Sequence, residues 1–191
     1  MSAIARFLSA LRADHAMLRR YDARYDPGGR RPRPLVGDVV QRVGFQMMAA
    51  YRLMRLSAEA GIPLAPKVIS RLIRVVYGAD IHPDARFEGG VVIVHGMGLA
   101  VHGEARVSAG AILSQNVTLG SAIDPTTRAV GAPALEEGVH IGPGATILGP
   151  VTIGARSKIM PGAVVKESVP PGALVETPAP RVIRRQRAEA S

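Results

Sequence analysis

The stretch IGPGATILGPVTIGARSKIMPGAVV, residues 141–165, decides the fold, because its large aliphatic residues recur every six positions. A small or branched residue follows each of them four places later. An α-helix repeats about every 3.6 residues and a strand about every two, so neither produces a sustained period of six. Fixed-period self-similarity indicates a solenoid, and a hexapeptide period indicates a parallel β-helix. The aliphatic positions are Ile141, Ile147, Ile153, Ile159 and Val165.

The same period extends upstream to Ile81, with a phase shift and a gap. The first set is Ile81, Phe87 and Ile93, followed four places later by Ala85, Val91 and Met97. After a shift of two residues, the second set is Val101, Val107 and Leu113, with Ala105, Ala111 and Val117. The repeat then stops between Gly120 and Gly138. The polar segment at about 120–138 is therefore predicted to leave the solenoid as a loop, and loops of this length are usually functional.

Residues 1–79 have a different pattern, which predicts an α-helical region. Helices are expected from residue 1 to about 25, from about 36 to 60 and from about 66 to 77, with a Pro/Gly linker at 26–34. The β-helix is predicted over 80–175, and a C-terminal tail over 176–191. The predicted fold class is mainly β: a parallel β-helix of hexapeptide repeats preceded by a short α-helical region.

Composition excludes several classes of function. The chain has no cysteine, which rules out disulfides, zinc–thiolate sites and thiol catalysis. Its net charge of +9 is concentrated in residues 1–80, which hold 14 Lys/Arg against 6 Asp/Glu. With no Trp and three Phe, material for base stacking is scarce, so nucleic-acid binding is not expected. Arginines interrupt the most apolar helical stretch, so no membrane span is expected and a cytoplasmic location is predicted.

From Tyr77 to Ile183 the sequence resembles the serine O-acetyltransferases and their left-handed β-helix relatives. The matching stretches are Asp80-Ile81-His82-Pro83, His95-Gly96-Met97-Gly98, Asn116-Val117-Thr118-Leu119-Gly120, Ile147-Leu148-Gly149-Pro150-Val151-Thr152-Ile153-Gly154 and Val169-Pro170-Pro171-Gly172. The resemblance implies a left-handed prism of three-strand coils, assembly into homotrimers, and active sites in clefts between neighbouring prisms. Whether trimers pair further through the helices is left open.

The resemblance also implies acetyl transfer from acetyl-CoA to a hydroxyl acceptor, without a metal. His95 falls on the family's catalytic histidine and Asp80 on the aspartate that orients it. An alcohol is a poor nucleophile near neutral pH, so a base must remove its proton as it attacks the thioester. Histidine, with a reference pKa of about 6.5, is suited to this role. A carboxylate on the far ring nitrogen fixes the tautomer and stabilises the imidazolium.

Five residues are expected by the match to line the groove for acetyl-CoA: Gly120, Ser121, Pro143, Lys158 and Pro161. The alternative for His95 is a structural histidine between coils, and for Asp80 a turn residue. His82 is expected to be structural. His102 and His140 occupy exterior positions, from which either could approach the cleft.

The match departs from the family where the acceptor is bound. The family's loop ends in Arg-His-Pro, whereas this chain has Gly131-Ala132-Pro133, and Val94 replaces the acidic residue before the catalytic histidine. The family's Gly-Glu pair is displaced by one position to Gly103-Glu104. Glu104 and Arg128 of the loop are the remaining candidates for contacting the acceptor.

Three hypotheses follow for the function. The preferred one is an acetyl-CoA-dependent O-acetyltransferase whose acceptor is a sugar or another small alcohol. The second is a genuine serine O-acetyltransferase, and the third is a non-catalytic trimeric scaffold or binding protein. The sequence ends in Ala190-Ser191 without the family's terminal isoleucine, so docking to cysteine synthase is not expected.

Overall fold

The computed structural model describes residues 2–28, 34–124 and 126–179. Four helices come first: α1 (Ala3–Tyr25), α2 (Leu35–Gln41), α3 (Val43–Glu59) and α4 (Ala65–Tyr77). Much of the predicted linker (29–33) and most of the predicted tail (from 180) lie outside the described residues. Among the helices that the structure describes, none is both long and apolar enough to cross a membrane.

Sixteen short strands follow in the described part of the chain. They are β1 (Asp80–Ile81), β2 (Arg86–Phe87), β3 (Val92–Ile93), β4 (Ala100–Val101), β5 (Arg106–Val107), β6 (Ile112–Leu113), β7 (Thr118–Gly120), β8 (Ala122–Ile123), β9 (Val130–Gly131), β10 (Ala134–Leu135), β11 (His140–Ile141), β12 (Thr146–Leu148), β13 (Thr152–Ile153), β14 (Lys158–Ile159), β15 (Val164–Val165) and β16 (Leu174–Val175).

Three parallel sheets form the faces of a prism. Sheet A has the order β1-β4-β7-β12-β15, sheet B the order β2-β5-β10-β13, and sheet C the order β3-β6-β11-β14-β16. The chain visits A, B and C in turn, so each circuit is one coil, and the described chain makes five. This arrangement confirms the parallel β-helix that the six-residue period predicts. We call the three prism edges AB, BC and CA, after the sheets that each one joins.

The prism interior is filled by the periodic aliphatic residues. Every predicted first position, from Ile81 to Val165, is buried. Leu119 and Leu135 continue the same frame and are also buried, at 0% and 1% exposure. Met97 differs from Ala85 and Val91, the residues at the matching place in the first set: its side chain is 69% exposed, and Leu99 is buried instead. The two extra residues of the phase shift widen the turn at His95–Gly98, and this wider turn carries Met97 outward.

The segment that leaves the prism is shorter than the predicted loop at about 120–138. Strands β8 and β9 pair antiparallel as a small hairpin. Strand β10 is already back in sheet B, in register with β5 and β13. Residues 136–138 form an ordinary BC turn, in which the Gly138 N–H donates to the Ala109 carbonyl at 2.9 Å. The return to the prism comes early because Leu135 occupies an interior position of the repeat.

The predicted helix over 36–60 is two helices, broken at Arg42. Arg42 has an extended backbone, with φ −111° and ψ 101°. Just after the break, Gly44 lies against β3 so closely that a Cβ there would be 1.9 Å from the Ile93 carbonyl oxygen. The break redirects the chain so that α3 approaches the first coil at this glycine.

Side chains of α3 and α4 cover the open end of the first coil. The strand N–H groups of each coil donate to the next coil, as in Asp80 N–H to the Leu99 carbonyl at 2.7 Å, so the strand carbonyls of the first coil have no coil to accept from. Helix side chains serve them instead. The donors are Ser70 Oγ to Ile81 O, Arg55 Nη1 to Pro83 O, Tyr51 Oη to Ala85 O and Arg52 Nη1 to Phe87 O, at 2.7–2.9 Å.

A buried ion pair fixes α1 to the same end of the prism. Arg52 donates to both carboxylate oxygens of Asp14, at 2.8 and 2.9 Å. Asp14 is fully buried and also accepts the backbone N–H groups of Gly90 and Val91, at 2.8 and 3.1 Å. Further along α1, Leu18 packs with Phe45 on the outward residues Val92 and Ile112 of sheet C. The helices therefore stand in a fixed position beside the CA edge.

Candidate active site

His95 lies on the CA edge, in the turn that joins β3 to β4. Its φ is +64°, and the Gly96 N–H donates across it to the Val94 carbonyl at 2.8 Å, which makes a γ-turn. The imidazole is exposed and has no hydrogen-bond partner in the part of the chain that the structure describes. Few non-glycine residues adopt positive φ, and such strain is concentrated at functional sites.

The turns of the lower coils stack beneath His95 along the CA edge. The Asn116 N–H donates to the Met97 carbonyl at 2.8 Å, and the Gly162 N–H donates to the Pro143 carbonyl at 2.9 Å. Pro143 and Pro161, both predicted to contact the cofactor, are exposed in this column. The structure thus brings these two residues and His95 to one continuous edge of the prism.

Asn116 is a residue of this edge that the sequence analysis missed. It has φ +56° and is exposed. A Cβ on Gly98 would be 2.0 Å from Asn116 Oδ1, so the glycine is needed for the asparagine side chain to lie against the turn. The available signal for a left-handed turn residue was an asparagine between two strands of a repeat, with a glycine at the corresponding place in each of the next two coils, Gly144 and Gly162.

Asp80 is the first residue of β1 and lies next to the CA edge. Strand β1 pairs directly with β4. The Asp80 carboxylate forms an ion pair with Arg74 of α4 at 2.6 Å, and the backbone N–H of the same residue donates to Leu99 O. No hydrogen bond joins Asp80 to His95 among the described residues. The side chains of Arg74 and Asp80 are 60% and 51% exposed, and exposed pairs of this kind are screened by solvent and contribute little. Arg74 is therefore a weak competitor for this carboxylate.

A cavity of about 230 Å³ opens beside His95, between the helices and β3. Its lining includes Tyr21, Arg42, Phe45, Val94 and His95. Arg42 forms ion pairs with Asp22 and Asp38; its Nε lies 3.8 Å from Asp38 Oδ1 and is buried without a hydrogen bond among the described residues. Burial raises the pKa of the Tyr21 phenol above its usual value, so this group stays a neutral donor. The sequence analysis missed this arginine because it read an unbroken helix there.

The other residues predicted to contact acetyl-CoA lie on different parts of the prism. Lys158 is exposed on the outer surface of sheet C, beside His140 in register. Gly120 ends β7, and Ser121 follows it where the chain leaves for the hairpin, at the AB edge. A Cβ on Gly120 would be 2.7 Å from Leu148 Cδ2. The structure does not bring Gly120 and Ser121 to the His95 edge within one chain.

Glu104 and Arg128 also lie at the AB edge and not beside His95. Glu104 is exposed in the turn after β4. Arg128 is exposed in the hairpin loop, with φ +60°. The loop is held by Asp124, which accepts the backbone N–H groups of Thr126 and Thr127 at 2.8 and 2.7 Å. These hydrogen bonds hold the pKa of the Asp124 carboxyl below its usual value.

The other predicted histidines have structural contacts. His82 and His102 stack at the AB edge, with ring centroids 6.4 Å apart. Nδ1 of each accepts a backbone N–H, from Asp84 and Glu104 respectively. His140 faces outward from sheet C and contacts the Tyr25 ring at 6.0 Å. Burial, with smaller contributions from Lys158 and Arg24, lowers the pKa of His140 below its usual value.

These observations define a class of protein. Residues 133–167 match the family described as "Bacterial transferase hexapeptide (six repeats)". A prism of three-strand coils with an exposed histidine on its edge is therefore a hexapeptide-repeat β-helix of the transferase type.

Comparison with individual proteins indicates which family within this class the chain resembles. The chain is 35% identical over 144 residues to a serine acetyltransferase of Synechococcus elongatus, covering 74% of this chain and 57% of the relative. It is 34% identical over 130 residues to that of Escherichia coli, covering 67% of this chain and 46% of the relative. The chain thus spans about half the length of these relatives.

Comparison with solved structures indicates the same family. A serine acetyltransferase of Neisseria gonorrhoeae superposes with a TM-score of 0.78 at 26% identity, over 92% of this chain and 67% of that one. A serine acetyltransferase in complex with CoA gives 0.74 at 26%, over 88% and 66%. The chain belongs to the serine acetyltransferase family of left-handed β-helix proteins.

Proposed function

We propose that this protein is an acetyl-CoA-dependent O-acetyltransferase in which His95 is the general base. The observation that carries the proposal is the γ-turn that presents the His95 imidazole, exposed, at the top of a continuous edge. Pro143 and Pro161 line that edge below it. A solved relative was obtained in complex with CoA, which supports placing the cofactor along this edge.

The reaction needs one base and two oriented substrates. His95 takes the proton from the acceptor hydroxyl as its oxygen attacks the thioester carbonyl carbon. The tetrahedral intermediate then collapses, the carbon–sulfur bond breaks, and the CoA thiolate takes the proton from the imidazolium. General-base help of this kind contributes about 10²–10⁴-fold, and orientation of the two substrates contributes the larger part of the remainder.

Asp80 is proposed to orient the imidazole. Its ion pair with Arg74 is exposed and weak, so exchanging that partner for the ring N–H of an imidazolium costs little. A carboxylate beside the ring stabilises an imidazolium.

The candidate active-site residues lie at two different edges of one prism, and this arrangement supports a cyclic homotrimer. His95, Pro143 and Pro161 lie at the CA edge, whereas Gly120 and Ser121 lie at the AB edge of the same prism. A single site that contains both groups requires the CA edge of one subunit to face the AB edge of the next. Such a head-to-tail contact closes as a ring. It would bring Glu104 and Arg128 to the site from the neighbouring subunit, and Lys158 would lie at its border.

Serine is the proposed acceptor, in preference to the altered acceptor that the loop predicts. The relatives are named serine acetyltransferases, and a solved relative at 26% identity was obtained in complex with serine. The cavity beside His95, about 230 Å³, is below the usual range of about 300–1,000 Å³ for pockets of larger ligands. The Arg42 guanidinium lines this cavity and would supply a donor for a carboxylate in place of the arginine missing at Gly131.

A changed acceptor remains the second candidate, because Gly131-Ala132 supplies neither charge to hold a carboxylate. Thiol release from acetyl-CoA, measured with L-serine, L-homoserine, glycerol and glucosamine, tests both ideas. The serine proposal requires kcat/KM for L-serine to exceed that for the other acceptors by at least about tenfold. Turnover with the alcohols or sugar but not with serine would establish the changed acceptor, and no turnover with any would contradict the enzyme.

A further inference from the structure

Two arginines stand side by side on the outer face of sheet B. Arg86 of β2 and Arg106 of β5 are register partners, and neighbouring strands lie about 4.8 Å apart. Both are exposed, and neither side chain has a hydrogen bond or ion pair with any residue that the structure describes. Like charges directly opposite each other on paired strands are destabilising. An anion bridging the two guanidinium groups would remove that repulsion.

Both arginines line a concave site. A cavity of about 370 Å³ lies between sheet B, the first turns of α1 and the middle of α3. We call it the arginine cavity; its charged lining is Arg6, Arg52, Arg55, Arg86, Arg106, Glu59 and Glu88. Its volume falls within the usual range for small-molecule pockets, and the Ser108 side chain adds a polar group to its wall.

The other charges of the arginine cavity are already engaged. Arg6 pairs with Glu59 at 2.7 Å, and Arg52 is neutralised by buried Asp14. Arg55 donates through Nη1 to the Pro83 carbonyl, and the Glu88 carboxylate accepts the Ala109 N–H at 2.9 Å. Five arginines and two glutamates line the cavity, so it carries an excess of positive charge, and Arg86 and Arg106 are the arginines whose side chains have no partner among the described residues.

We propose that the arginine cavity binds a phosphate-bearing small molecule at a site separate from the His95 edge. A phosphate group carries close to two negative charges and three acceptor oxygens, which match two adjacent guanidinium groups. A carboxylate would compensate one of them. None of the residues proposed for the acetyl-CoA groove lines this cavity. The site therefore stands whether or not the proposed acetyltransferase activity holds.

The test uses inorganic phosphate as the probe and thermal unfolding of the full-length protein as the readout. Buffers contain increasing phosphate at a fixed ionic strength made up with sodium chloride. The wild type is expected to show a saturable rise in Tm, as binding to the folded state requires. Arg106→Ala and Arg86→Ala are each expected to weaken the apparent affinity at least tenfold. Without phosphate, each variant is expected to unfold at or above the wild-type temperature, because the repulsion is gone.

Arg20→Ala is the matched control, since it removes an exposed arginine from α1 outside the arginine cavity. It should leave the phosphate response unchanged. CoA affinity, measured by calorimetry, should stay the same in Arg86→Ala and Arg106→Ala. An equal phosphate response in wild type and both variants would overturn the proposal. So would a response that follows total salt, or stabilisation by polyglutamate with none by phosphate, which would indicate an acidic macromolecule.

Discussion

The positive φ of His95 has an energetic cost that a glycine at this position would avoid. A non-glycine residue in the left-handed region loses about 1–2 kcal/mol relative to an ordinary conformation. Gly96 and Gly98 in the same turn have positive φ as well, and both avoid this cost by lacking a Cβ. A histidine retained there, with its ring in solvent, points to a use for the ring.

His95→Asn tests that use without changing the turn, because asparagine tolerates positive φ better than alanine. The substitution removes the base, so kcat for thiol release should fall about 10²–10⁴-fold. CoA affinity and Tm should stay close to wild type. The matched control is His140→Gln, since His140 lies under Tyr25 and away from the CA edge. Loss of activity in that variant, or normal turnover in His95→Asn, would contradict the assignment.

Arg42→Gln tests the proposed carboxylate anchor. Loss of a charge-assisted hydrogen bond costs about 1.5–3 kcal/mol, so KM for L-serine should rise at least about tenfold while KM for acetyl-CoA is unchanged. Arg42→Lys keeps the charge that faces Asp22 but removes Nε, so its KM should lie between the two. If both Michaelis constants rise together, Arg42 supports the fold rather than the acceptor.

At the scale of secondary structure, the buried pair of Asp14 and Arg52 joins three elements: α1, α3 and the first BC turn. Asp14→Ala would leave Arg52 buried without its counter-charge and the N–H groups of Gly90 and Val91 without an acceptor. Breaking a buried pair in this way costs about 3–5 kcal/mol. Urea unfolding should show that loss. A matched change at an exposed pair, Glu59→Ala, should cost less than about 1 kcal/mol.

The contact between α1 and sheet C should make stability depend on pH through His140. Its pKa is lowered in the folded state, mainly by burial, so the unfolded chain binds a proton more readily. Stability is therefore fully present above the unfolded pKa of about 6.5 and falls as the pH drops below it. Between about pH 7.5 and about pH 5.5, His140→Gln should lose less stability than the wild type. Equal pH slopes for the two proteins would exclude this contribution.

The sequence predicts the elements of this fold unequally well, for physical reasons. Period six identifies the buried first positions from Ile81 to Val165 but not Leu99, since the phase shift is visible in the sequence and its geometry is not. The resemblance points to His95, whereas the strained turn that presents it depends on backbone angles. The local sequence predicts a helix through Arg42. The break there follows from the approach of Gly44 to Ile93, which is a tertiary contact that local sequence does not reveal.

At the scale of the whole molecule, the proposed ring predicts complementation between inactive chains. His95→Asn removes the CA half of a site, and the double variant Glu104→Gln/Arg128→Ala removes the AB half. In a mixed cyclic trimer, one interface combines an intact CA edge with an intact AB edge. Equal mixing after unfolding and reassembly should therefore restore about a quarter of wild-type activity. A mixture no more active than its separate components would contradict the shared site.

The cover that α3 and α4 place over the first coil gives the solenoid a direction. The N–H groups of the sheet strands point towards the C-terminal end and their carbonyls towards the helices, whereas glycine and asparagine N–H groups in the turns donate the opposite way. The protein should accordingly tolerate shortening from the C-terminal end, coil by coil. A fragment that begins at Asp80 would instead present a row of bare acceptors, an edge to which other chains can pair. The helical region thus covers the end of the β-helix that presents strand carbonyls. An engineered solenoid of this type could therefore be lengthened only at the C-terminal end.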